Sequence, residues 1–302
     1  MKIGVIGLGW VGSSVAMAVL QRGIANELLL YDVKPHLADG EALDFAHGSS
    51  FYPSARVRAV EIEQMRGADA VIIAAGRNSG PGESRLTLLA DNARIVSDVC
   101  ARLRGFDGLL VVVTNPVDVL THVALEASGL DPARVLGTGT MLDTARLRQM
   151  LGRELDVDPR SVHAQVIGEH GDSEVTLWSS ASVGGRSLRT WRGWSGDREA
   201  HLAAEVRGAA YAIIERKGAT NHAIGLVTAS LLGCALRDEK RVLAVSRLQS
   251  GAAGIAGVAL SLPAIVGRNG AREVIEPEMD ELERAALTRS ADVLRQARAS
   301  LA

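Results

Sequence analysis

The sequence predicts an α/β protein, a doubly wound parallel sheet in its N-terminal half followed by a C-terminal α+β region. Three observations carry that prediction. Short β-rich runs alternate with helical patterns through the first half, as βαβ units require. The run Leu109-Leu110-Val111-Val112-Val113 is apolar throughout, which suits a strand buried on both faces. Finally, Gly7-Leu8-Gly9-Trp10-Val11-Gly12 joins the first strand-like run to a helical pattern, as a tight strand-to-helix turn does. With 302 residues, 47% of them hydrophobic, the chain can bury a large core and fits about two domains.

Taken in order, strands are expected at residues 3–6, 28–31, 57–60, 70–74, 109–113 and 135–136. The helix after the glycine turn carries Val15, Val19 and Leu20. Leu86, Leu89, Ala93, Val96, Cys100 and Leu103 recur at three- and four-residue steps, one face of a helix, so Cys100 reads as core. Further on, 162–167 and 175–183 read as strands, with Gly184-Gly185 as a turn. A helix over 197–217 ends at Gly218, a suitable C-terminal cap, and another spans 223–236. Strands near 242–245 and 257–262 precede Pro263. A last helix over 278–299 has Leu282, Ala286, Val293 and Ala297 on one side. There is no repeat and no low-complexity linker, so the change of character falls near Leu142, dividing the chain into residues 1–142 and 143–302.

Composition removes several function classes. A net charge of -2 without any lysine or arginine run gives no electrostatic footprint for nucleic acid. Cys100 and Cys234 lack metal-like spacing and have little disulfide potential, which favours a reducing compartment. The histidines form no metal-spaced cluster, so no metal site is expected. The N-terminus runs straight into a strand, without a signal-peptide pattern, and no apolar run reaches membrane-spanning length. A soluble cytoplasmic protein is the expectation.

Two sets of residues carry chemistry. Gly7, Gly9 and Gly12, with Val11 between them, allow backbone to approach a pyrophosphate at a positive helix end. Asp32 ends the next strand at the distance expected of a ribose-binding carboxylate, which would repel a 2′-phosphate and so favour NAD over NADP. The plain alternative is a loop aspartate after a strand. The second set is Leu142-Asp143-Thr144-Ala145-Arg146 with Gly168-Glu169-His170-Gly171-Asp172. An aspartate on one imidazole nitrogen would fix the tautomer of His170, while Arg146 offers a planar fork to a carboxylate. Taken alone, either segment is better read as a surface arginine or a core histidine.

In sequence with Gly76 to Leu86, Val113-Thr114-Asn115-Pro116-Val117-Asp118, Gly137 to Arg148, Val166 to Glu174 and Lys217-Gly218-Ala219-Thr220, these motifs resemble the L-lactate dehydrogenases of the lactate/malate dehydrogenase superfamily along essentially the whole chain. The resemblance implies an N-terminal Rossmann domain, a C-terminal catalytic domain, NAD as cofactor and a homotetramer or dimer. His170 would be the acid/base, oriented by Asp143, with Arg146 holding the substrate carboxylate. Arg85 would polarise the carbonyl. Asn115 would lie near the reacting oxygen and the nicotinamide ribose, Gly76 would join the cofactor site, and Thr220 would line the pocket. A cis bond is expected at Asn115-Pro116.

Substrate choice is less settled. The segment from Arg77 to Arg85 has the composition of a lid. Its residue facing the substrate side chain is glutamine in lactate enzymes and arginine in malate enzymes, and alignment puts Ser79 there. Malate's second carboxylate would then be buried unpaired unless Arg77, two residues away, compensated, and Glu83 would repel it. A serine leaves room for bulkier 2-keto acids. The expectation is lactate–pyruvate chemistry with such tolerance; malate dehydrogenase and a non-catalytic NAD-binding protein are the alternatives. Arg148 and His163 match positions that bind fructose 1,6-bisphosphate in bacterial relatives, and Trp10 reads as packing.

Overall fold

The computed structural model describes residues 1–77 and 85–301, apart from the side chains of Arg85 and Leu86. Six parallel strands run β3 (Arg56–Ala59), β2 (Glu27–Tyr31), β1 (Lys2–Ile6), β4 (Ala70–Ile73), β5 (Leu109–Val112) and β6 (Val135–Gly137). Each matches its expected position to within one residue at either end. The strand order turns back between β1 and β4. Connections leave that point in opposite directions, opening a crevice at the carboxyl ends of the strands.

The sheet continues past β6. Strands β10 (Arg241–Ser250), β11 (Ala256–Gly267) and β12 (Gly270–Val274) add antiparallel to its edge, giving nine strands. A second, three-stranded sheet holds β7 (Val162–Ile167), β8 (Val175–Val183) and β9 (Arg186–Ser187). Strand β11 runs through Pro263 instead of ending before it. Ser261 exchanges its N–H and C=O with Gly168, away from β10. Pro263, two residues on, faces the same way; its carbonyl accepts from Ile275 N–H at 2.8 Å, and the N–H it lacks belongs to no β10 bond.

The helices are α1 (Trp10–Gln21), α2 (Pro35–His47), α3 (Arg85–Arg102), α4 (Val117–Ser128), α5 (Met141–Leu155), α6 (Gly196–Lys217), α7 (His222–Leu236) and α8 (Glu281–Ala299). On one face of the large sheet, Val15, Val19 and Leu20 of α1 share a core with Leu231, Leu232 and Ala235 of α7. On the other, Leu89, Val96, Cys100 and Leu103 of α3 meet α4 and α8. Helices α5 and α6 pack on the small sheet through Leu147, Leu151, Leu202 and Val206. Each fully buried side chain of this size contributes about 1.5–3 kcal/mol.

The inward face of α8 differs from the expected one. Leu282 is 81% exposed and Val293 is 43% exposed, whereas Glu283, Leu287, Ser290, Ala291 and Leu294 are buried. The stripe looked displaced because two of its members are polar. Glu283 accepts the N–H groups of Trp178 and Ser179 at 2.7 and 2.9 Å, and Ser290 accepts from the small-sheet loop described below. Among the described residues, no helix is long and apolar enough to cross a membrane, and no group of three His, Cys, Asp or Glu is placed to hold a metal. Both cysteines are free and buried, and burial pushes the Cys100 thiol up to about 12.

Candidate active site

The crevice begins at the glycine turn. Gly7 has φ +91°, and a Cβ there would lie 2.4 Å from Ala75 N; at Gly12 it would lie 1.8 Å from Gly7 O. These two glycines let α1 start flush against the strand ends. At Gly9 a Cβ would meet nothing within 4 Å, so that side is open. Gly9 caps α1 without any side-chain hydrogen bond, which leaves first-turn N–H groups for an anion. Asp32 accepts Leu8 N–H at 2.8 Å and Lys34 N–H at 3.0 Å, fixing the turn while keeping lone pairs for a ribose. These residues fit a dinucleotide. Trp10, read from sequence as packing, is 60% exposed, with Lys217 Nζ 5.9 Å from its ring centroid.

Across the crevice, Asn92 ties two segments together. It is 1% exposed; its Oδ1 accepts Arg77 N–H at 2.9 Å, and its Nδ2 donates to Asn115 O at 3.0 Å. A Cβ on Gly76 would strike Thr114 Cγ2 at 2.4 Å, so the chain after β4 lies directly on the chain after β5. The Asn115-Pro116 bond is cis, as the resemblance implied. Thr220 lies in the turn between α6 and α7, beside Asn221, whose Nδ2 donates to Ser14 Oγ of α1 at 2.8 Å.

Three successive residues after β7 are moored to three different elements. Gly168, at φ +83°, pairs with Ser261 of β11 through bonds of 2.8 and 2.9 Å. Glu169 N–H donates to Ser290 Oγ of α8 at 2.8 Å. The His170 N–H donates to Asp118 Oδ2 of α4 at 2.7 Å. That mooring aims the imidazole at α5, where Asp143 Oδ2 is 2.5 Å from His170 Nδ1 and Arg146 Nη1 donates to Asp143 Oδ1 at 2.8 Å. Asp143 and Arg146 stand three apart on one helix face, as their spacing requires. One buried carboxylate therefore serves both cations, one oxygen each. Nδ1 is committed, so Nε2 is the nitrogen that can address a substrate.

Electrostatics follow from burial and these partners. Burial alone would lower the His170 pKa, but the Asp143 charge and hydrogen bond overcome it and raise it above the ordinary value. For Asp143, burial works upward, and the His170 and Arg146 charges bring the carboxyl below its usual range. Asp118, 1% exposed, is pushed up to about 6 by burial; Ser246 and the His170 N–H pull the other way. The Ser246 hydroxyl stops short of a well-formed bond, leaving Asp118 Oδ1 and Ser246 Oγ buried without partners. Glu174, 6% exposed, is pushed up to about 8 by burial and by Asp143.

Asp143, Arg146 and His170 thus meet, and Asn92 joins Arg77, the residue after Gly76, to Asn115. Arg148 points elsewhere: its Nε donates to Ala164 O at 2.9 Å, and it lines with His163 a separate cavity of about 270 Å³. Ser79 lies outside the described residues. Arg85 opens α3, its side chain also outside them. Sequence reasoning passed over Asn92, Asp118 and Glu174. Asn92 had a signal, being a polar residue inside the apolar stripe of α3; Asp118 and Glu174 closed matched motifs without an assigned task.

Comparison with known proteins supplies the context. Residues 1–137 match the NAD-binding domain of lactate/malate dehydrogenase, and residues 140–301 match its alpha/beta C-terminal domain. An L-lactate dehydrogenase of Thermus aquaticus is 45% identical, over 100% of this chain and 99% of the relative. L-lactate dehydrogenase 2 of Lactococcus lactis subsp. lactis is 42% identical over 98% of this chain and 96% of its own. A crystal structure of the minor L-lactate dehydrogenase of Enterococcus mundtii is similar with a TM-score of 0.97 and 39% identity, covering 100% of this chain and 98% of that one.

Proposed function

The chain belongs to the lactate/malate dehydrogenase family and uses NAD, and from that premise we propose that it interconverts pyruvate and L-lactate. The observation carrying the reading is Asp143 shared between His170 Nδ1 and Arg146 Nη1. A 2-keto acid binds through its carboxylate to Arg146, whose guanidinium has donors beyond the one held by Asp143. His170 Nε2 gives its proton to the carbonyl oxygen in reduction and takes it from the hydroxyl in oxidation; Asp143 fixes the tautomer and stabilises the imidazolium. When bound, the cofactor would supply the redox partner, NADH giving a hydride to the carbonyl carbon in reduction and NAD⁺ accepting it in oxidation. Gly7, Gly9, Val11, Gly12, Asp32 and Gly76 hold it, Asn115 serves both the reacting oxygen and the cofactor ribose, and Arg85 polarises the carbonyl. Thr220 lines the side-chain pocket; the sequence assignment of Ser79 to that pocket lies outside the described residues. We assign residues 1–142 to an NAD-binding domain, which also lends Arg85 and Asn115 to the substrate, and residues 143–302 to a catalytic and substrate domain.

Malate is disfavoured because its second carboxylate would need a cation. Arg77 Nε already donates to Asp91 Oδ2 at 2.8 Å, and Ser79 brings no charge. Comparing rates on pyruvate, oxaloacetate, 2-ketoisocaproate and phenylpyruvate tests this, with pyruvate expected first; an oxaloacetate preference would sink it.

Regulation and assembly extend the proposal. Arg148 and His163 share a cavity, and the Arg241 charge near Arg148 adds to a cationic patch suited to fructose 1,6-bisphosphate. Apparent pyruvate affinity should rise with the bisphosphate present, and no change would refute the effector site. A groove between α1, α2 and α7, lined by Trp10, Met17 and Leu226, exposes apolar surface suited to a second copy, and we assign the chain to a homotetramer. Its buried free cysteines suit a reducing compartment, the cytoplasm.

A further inference from the structure

Beyond the acid/base pair lies a second buried acid that the reaction as described does not use. Glu174 closes the histidine turn, its N–H donating to Gly171 O at 3.1 Å, and it directly precedes β8. The residue is 6% exposed, and its Oε1 is buried with no hydrogen-bond partner. Charged groups reach it from three directions: Asp143 and Arg146 on α5, His170 in its own turn, and Arg207 on α6. Asp143 already supplies the one negative charge that His170 and Arg146 share. A second anion beside it would compete for the same guanidinium and repel an arriving carboxylate.

We propose that Glu174 is a positioning residue that must be protonated for the substrate carboxylate to bind, so that its ionisation closes the site to 2-keto and 2-hydroxy acids at alkaline pH. The inference rests on the lactate–pyruvate reading above. Burial and the neighbouring Asp143 charge hold the Glu174 proton on through neutral pH, since they push the carboxyl up to about 8. As that proton leaves, the kcat/KM of either direction loses a factor of about ten per pH unit until a lower plateau is reached. In pyruvate reduction this loss adds to the deprotonation of His170. For lactate oxidation the two effects oppose each other, because His170 must be neutral while Glu174 must not be charged.

The test compares the wild type with Glu174→Gln, which keeps shape and polarity but cannot ionise. For lactate, the wild-type kcat/KM should trace a bell with pH, and the variant should rise to a plateau. With pyruvate, the alkaline limb should soften from two protons to one. Binding of oxamate, a pyruvate isostere, to the NADH complex should weaken at alkaline pH with the same loss of one proton in the variant, which gives a readout independent of turnover. NADH fluorescence titration checks that the variant is folded. Should Glu174→Gln bind NADH yet keep the wild-type pH profiles, the proposal is overturned; a misfolded variant is replaced by Glu174→Met, judged by the same oxamate profile. A wild-type chain that fails to oxidise NADH with pyruvate would overturn the underlying reading itself.

Discussion

Arg146 and His170 lean on opposite oxygens of one carboxylate, so Asp143 cannot be changed without disturbing two functions. Asp143→Asn should lower pyruvate turnover by about 10³-fold or more, as loss of an orienting carboxylate does. Its pH dependence has a definite sign. Asp143 raises the His170 pKa, and reduction needs the protonated ring, so wild-type kcat/KM should fall as pH climbs through that raised value. Residual activity of Asp143→Asn should fall at lower pH, read from steady-state profiles. Arg146→Lys loses the planar fork and should raise the pyruvate KM about 10- to 100-fold. Arg85→Gln should instead reduce kcat far more than carboxylate binding; the reverse pattern would refute that division of roles.

Element-scale behaviour is clearest in α8. Leu287→Ala removes a fully buried side chain and should cost about 2–5 kcal/mol in urea unfolding, whereas Leu282→Ala should stay within about 0.5 kcal/mol. Ser290→Ala strands the Glu169 N–H, and should lower kcat while NADH binding persists. The same helix shows where sequence legibility ends. Strands β2, β4 and β5 were readable from short, nearly continuous apolar runs, whereas β3, Arg56-Val57-Arg58-Ala59, was readable from its alternation. The inward stripe of α8 was not, since Glu283 and Ser290 are satisfied by backbone of the small sheet, over a hundred residues away in sequence. Pro263 misled for a related reason: only the pairing of Ser261 with Gly168 reveals that its side of β11 needs no N–H toward β10.

At the scale of the whole molecule, the two segments matched by separate family domains share one sheet and one core. Helix α7 buries Leu231 and Leu232 beside Val19 and Ile24, and β10 pairs with β6. A fragment ending at Gly137 would bare the β6 edge together with the apolar surface that α7 covers, and should aggregate when expressed alone, as size-exclusion chromatography would show. The reacting trio and its convergence were legible through the motifs and the resemblance; the mooring of the histidine turn was not, because it depends on Asp118 reaching His170 from the other half of the chain.

That last bond bears on how such a protein can be rebuilt. The histidine turn takes one support from β11, one from α8 and one from the α4 aspartate that follows the cofactor-side Asn115. A hybrid that takes the histidine turn from this chain and α4 from a relative keeps this support only if the relative carries an acceptor at the Asp118 position, because the turn's side of the bond is a backbone N–H that any sequence supplies.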